Sequence, residues 1–135
     1  MDTGKSALGM DGNLAAALGY PIGIIAIISL IMEKENRFVK FHALQAILLY
    51  VVFIVVWIAM VLISVILGVA GMAASSAGSA GGAVSGLLSL VLLLVWLVVI
   101  VALLGGLIMA AVKAYGGNEF KLPIIGNMAA KFANK

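Results

Sequence analysis

The chain has 135 residues, of which 65% are hydrophobic and 10% charged, against about 25% charged in an ordinary soluble domain. With a mean hydropathy of +1.30, it falls in the membrane class. The absence of cysteine excludes disulfides, thiolate metal sites and cysteine nucleophiles. The net charge of +3 is scattered at the ends of apolar segments, so lipid headgroups rather than nucleic acid are the expected counter-charge.

Residues 1–12 are polar and without periodicity, which predicts a flexible N-terminal tail. Lys5 is balanced by Asp2 and Asp11 and no cleavage-site pattern follows, so the first apolar run is expected to stay in the mature protein. That run, 13–32, has the length of a membrane span at about 1.5 Å per residue. Pro21 lies inside it and crowds the carbonyl of Ala17, predicting a kink or break between Gly19 and Gly23. Ala15, Gly19 and Gly23 form a ridge of small residues suited to close helix packing.

A polar turn at 33–37 leads into a second span at 38–70, about 50 Å if straight, so that its first turns must lie at headgroup level. Between Lys40 and Lys113 no formally charged residue occurs. Steps of three or four place His42, Gln45, Tyr50, Trp57 and Ser64 on one face, the candidate inner or partner-binding face. Val51, Val55, Ile58, Leu62 and Val69 form an aliphatic lipid face. Residues 71–86, almost wholly Gly, Ala and Ser, read as a flexible connector that could be helical at either edge. The third span is 87–115, with Trp96 continuing the inner face. Ala102, Gly106 and Ala110 make a second packing ridge, expected to pair with the one holding Gly19 and Gly23. Gly116-Gly117 should stop the helix with a left-handed cap. Pro123 then opens a short amphipathic helix at 123–134, with Ile124, Ile125, Met128, Ala129 and Phe132 on one side and Asn127, Lys131, Asn134 and Lys135 on the other.

The expected fold class is therefore all-α: three transmembrane helices plus a C-terminal interfacial helix, with 13–135 as a single membrane domain. Lys34, Arg37, Lys40, Lys121 and Lys131 are the candidate lipid-interface residues. Counting cations at the span ends puts the N-terminus outside and the C-terminus in the cytoplasm, in a cell inner or cytoplasmic membrane.

Little here can carry chemistry. His42 is the single histidine, with no acid near it in the span. A hydrogen-bonded histidine at the water boundary is favoured over a metal or pigment ligand, or a base acting on lipid. The serines have no base in helical register, and the Gly-rich stretch lacks the Lys-Ser/Thr ending of a phosphate loop. No intramembrane acid or base marks an ion pathway. Neither enzyme activity nor a cofactor is expected, a pigment or lipid entering only through a larger complex. The expected partners are membrane lipids and other membrane subunits or a second copy.

Arg37-Phe-Val-Lys-Phe-His-Ala-Leu-Gln-Ala46 resembles the "F-V-(K/R)-x-H-A-x-Q-A" signature of the Tic20-like small membrane proteins. Gly117-Asn-Glu-Phe-Lys-Leu-Pro-Ile-Ile-Gly126 resembles that family's "G-x-x-(F/Y)-x-(L/Y)-P" block. The family also takes in magnetosome membrane proteins. The resemblance implies a compact helical membrane protein of three or four spans without established catalysis. Its chloroplast namesake serves protein import and its magnetosome members influence crystal growth. The expected role is a non-catalytic assembly or accessory subunit, the alternative being an oligomeric pore or protein-translocation component.

Overall fold

A computed structural model describes residues 3–135. Five helices follow one another: α1 (Gly12–Leu18), α2 (Gly23–Met32), α3 (Arg37–Ser75), α4 (Ser79–Tyr115) and α5 (Ile125–Ala133). Two of them, α3 with 39 residues and α4 with 37, are long and apolar enough to cross a membrane. The chain divides into two compact units, the first made of the residues up to Val52 together with Leu104–Lys135, the second of Phe53–Leu103.

In the first unit the stretch expected to cross once, 13–32, is broken where proline demands it. Pro21 has no N–H to give, so α1 ends at Leu18 and α2 begins at Gly23. The backbone groups freed at the break find other partners. Tyr20 N–H turns to the Ala17 carbonyl at 3.3 Å and Ile22 N–H to that of Leu18 at 3.0 Å, while the Tyr50 hydroxyl donates to the carbonyl of Tyr20. The two pieces then double back. Ala7 N–H donates to Glu33 Oε2 at 2.8 Å, and Asn36 Nδ2 donates to the carbonyls of Thr3 at 2.7 Å and Lys5 at 3.2 Å. Residues before α1 thus touch residues after α2, which a straight crossing of the bilayer could not allow.

The same bonds correct the flexible tail. Residues 3–11 are held by the Lys5–Asp11 ion pair at 2.6 Å and by Asn13 N–H on Thr3 Oγ1 at 2.8 Å, while Met1 and Asp2 lie outside the described residues. Glu33 Oε1 accepts Asn36 N–H at 3.1 Å, and Asn36 Oδ1 accepts Val39 N–H at 3.2 Å as the N-cap of α3.

At the far end of α4, Gly117 takes φ 77° while Gly117 N–H reaches Ala114 O and Asn118 N–H reaches Lys113 O, both at 3.0 Å. This is the Schellman stop that the glycine pair predicts. Pro123 does not open the last helix. It starts two residues later, after a three-residue turn in which Ile124 takes φ 65° and Ile125 N–H bonds Pro123 O at 2.7 Å.

The second unit holds the largest departure from expectation. The connector over 71–86 is helical up to Ser75 and again from Ser79, leaving Ser76–Gly78 as the turn, with Gly78 at φ 99°. Small side chains make tight pairing feasible there. A Cβ on Gly71 would meet Ser85 Oγ at 2.9 Å, and Gly81 sits so close to the Ala74 carbonyl that no Cβ fits. Farther along, Trp96 Nε1 donates to Ser64 Oγ at 3.0 Å, and that hydroxyl donates to Met60 O at 2.7 Å.

Candidate functional site

The densest polar arrangement lies in the first unit, where Tyr20, Phe41, His42 and Gln45 are all fully buried. His42 and Gln45 stand one turn apart on α3, so both side chains leave the helix in nearly the same direction. Gln45 Nε2 donates to Tyr20 Oη at 2.7 Å and to Phe120 O at 2.9 Å, and its Oε1 accepts Leu122 N–H at 3.0 Å. His42 Nε2 lies 3.0 Å from Asn118 O and Nδ1 lies 2.8 Å from Tyr20 Oη. A carbonyl oxygen can only accept, so Nε2 carries a hydrogen. Tyr20, already accepting from Gln45, keeps its own hydrogen for Nδ1. In this arrangement each donor has an acceptor, as a buried polar cluster requires.

Three aromatic rings box the imidazole edge-to-face: Phe38 at 4.6 Å, Phe41 at 4.9 Å and Tyr20 at 5.8 Å between centroids. The cluster therefore ties three separate pieces of chain together: the break between α1 and α2, the first turns of α3, and the segment after α4. Arg37 adds a second tie. It pairs with Glu119 and donates Nε–H to Asn134 Oδ1 at 2.6 Å. It is an intramolecular clamp whose side chain stays exposed. Both ring nitrogens of His42 are engaged, and among the described residues no three His, Asp or Glu side chains cluster as metal ligands would.

The other expected site residues part company. Tyr50 belongs to the first unit, where its ring lies over Gly23, a Cβ on which would come within 3.1 Å. A Cβ on Gly19 would meet Ala26 Cβ at 3.3 Å and one on Gly106 would meet Leu122 Cδ2 at 3.7 Å, while Ala110 is buried and Ala102 exposed. The glycines thus serve three different local contacts rather than one shared ridge. In the second unit Ser64 and Trp96 bond each other, but Trp57 is 61% exposed, with Phe53, Ile54 and Ile58 beside it. The inner face expected along α3 therefore does not hold at Trp57, whose ring is exposed. Lys34, Lys121 and Lys131 are exposed and Lys40 half-buried.

Sequence reasoning missed Tyr20 as the hub, and missed Glu33, Asn36 and Gly126 as packing residues. The available signal was a tyrosine directly before the proline of a broken apolar run. A Cβ on Gly126 would meet Lys121 Cα at 2.6 Å and Gln45 Oε1 at 2.8 Å, so this glycine lets α5 close over the knot.

The fold places the chain in the class of small helical membrane proteins, and in this one two distant sequence blocks, one around His42 and Gln45 and one at 117–126, meet by hydrogen bonds. Within that class the chain belongs to the magnetosome magnetite crystal formation protein family, which it matches over residues 6–129. It is similar to the UPF0132 membrane protein MJ1443 of Methanocaldococcus jannaschii, 35% identical over 140 residues that cover 96% of each chain. A UPF0132 membrane protein of Archaeoglobus fulgidus is 50% identical over 42 residues, 30% of this chain and 41% of that one. No solved structure matches. The likeness to the Tic20-like proteins rests on the two motif blocks alone.

Proposed function

We propose that the chain is a non-catalytic accessory subunit of a cytoplasmic-type membrane, assembling with itself or with other membrane proteins, and that it holds both termini on the cytoplasmic side. The observation that carries this reading is the state of its polar side chains. The histidine, tyrosine and glutamine that could have done chemistry are spent on joining segments of the fold. Mineral contact through carboxylates on the turn side is not part of the reading, since residues 53–103 hold no acid.

What is left for partners is backbone-level surface. Gly105 is exposed and has nothing of its own chain within 4 Å of a built Cβ, so it offers close approach to a neighbouring helix. Gly105→Leu and Gly105→Phe test this at an exposed position where a Cβ has no neighbour of its own chain. In mild detergent the expected result is loss of self-association or of co-purifying subunits, read by native mass spectrometry, with helix content unchanged. Intact assembly in both variants would remove the main support. Vesicles containing the wild-type chain should be silent in flux assays for ions and small solutes; a selective flux would favour a pore instead.

A further inference from the structure

We propose that α5 and the turn before it form a blade that sits in the headgroup region of the leaflet on the charged side and binds anionic phospholipid there. α5 has three faces where the sequence suggests two. Its small residues Gly126, Ala129, Ala130 and Ala133 are buried, the three alanines in a cluster with Phe41 that Leu44 and Leu48 flank. That contact uses the face which could approach α3 closely, and it leaves the large apolar residues pointing away from the protein. Ile124, Met128 and Phe132, each four apart, are all exposed, Ile124 at 78%.

The turn sharpens the case. Ile124 is the only described non-glycine residue with positive φ, a conformation that a β-branched residue rarely adopts. Backbone hydrogen bonds hold the turn, but the side chain that it throws outward touches little of the protein. A hydrocarbon boundary would receive it. Charge points the same way: from Phe120 onward the side chains carry Lys121, Lys131 and Lys135 and no acid. Lys135 Nζ stands 5.6 Å over the Phe132 ring, so cation and apolar ridge are side by side, as a headgroup and its acyl chain are. This inference does not depend on whether the protein assembles, since α5 would meet lipid in a monomer as well.

The full chain has no cysteine, so single nitroxide labels at Met128→Cys, Phe132→Cys and Asn127→Cys report cleanly in vesicles of phosphatidylcholine, with and without one part in four of phosphatidylglycerol. The labels at 128 and 132 should be relaxed more by oxygen than by a water-soluble nickel chelate, and the label at 127 the reverse. Phosphatidylglycerol should raise the oxygen-to-nickel ratio at 128. Combining Lys121→Gln, Lys131→Gln and Lys135→Gln should abolish that rise while leaving the phosphatidylcholine value and helix content unchanged. A water-like label at 128 would overturn the proposal. So would a label there shielded from both agents, which would mean protein cover, or a ratio indifferent to phosphatidylglycerol.

Discussion

Gln45 spends both side-chain functions on the chain itself: two donated bonds and one accepted, to two segments. Gln45→Leu keeps the approximate shape and removes all three. Phe120 O, Leu122 N–H and the Tyr20 hydroxyl then lose a partner, and each buried orphan costs about 1–3 kcal/mol. Because the bonds share one side chain the costs do not add, and a total of about 3 kcal/mol is expected. It would be read as a fall in thermal midpoint in mild detergent. Trp57→Phe is the matched control: an exposed indole should cost little, and a loss equal to that of Gln45→Leu would mean the knot is not where stability resides. His42 and Gln45 could be singled out in the sequence because they are the polar residues of an apolar helix. Their partners could not, since three of them are backbone groups, which a sequence does not distinguish from any others.

At the scale of elements, Val51, Val55, Ile58, Leu62 and Val69 are all exposed as an aliphatic face should be, but so is Trp57 from the expected inner face, so periodicity does not separate the two faces of α3 there. Composition misled at 71–86. Gly, Ala and Ser offer little area to dock, which reads as a linker, yet alanine favours helix and small residues let two helices touch, as Gly71 and Ser85 do. Hydropathy misled at 13–32 for a different reason. Twenty apolar residues satisfy a crossing and a doubled-back pair equally, and the contacts that decide between them join residues far apart in sequence, such as Ala7 to Glu33. Tyr50 is the side chain that caps the break from outside. Tyr50→Phe should cost about 1 kcal/mol and act locally. Amide exchange should quicken over 13–32 and stay unchanged over 53–103; uniform quickening would show that the break depends on the fold as a whole rather than on this bond.

Over the whole molecule, the distribution of charge bears on which way the protein faces. All 8 Lys and Arg and all 5 Asp and Glu belong to the first unit, and 53–103 carries none. Were 13–32 a crossing, Lys5 would stand apart from the other seven cations. With α1 and α2 doubled back, the segment holding Lys5 bonds directly to Glu33 and Asn36, and Asn13 Nδ2 donates to Tyr115 O at 2.8 Å. Every cation then flanks the same ends of α3 and α4, and the orientation proposed above, with the uncharged turn Ser76–Gly78 outside, follows from the preference of basic segments for the cytoplasm. The two arrangements agree everywhere except before residue 33, so a label there separates them. With single cysteines at Ala7→Cys, Lys34→Cys, Lys131→Cys and Ala77→Cys, a membrane-impermeant maleimide added outside intact cells should reach only position 77. The first three should react only after the membrane is opened. Reaction at position 7 from outside, with 34 still protected, would mean that 13–32 crosses once and that the bonds from Ala7 and Asn36 do not exist in the membrane.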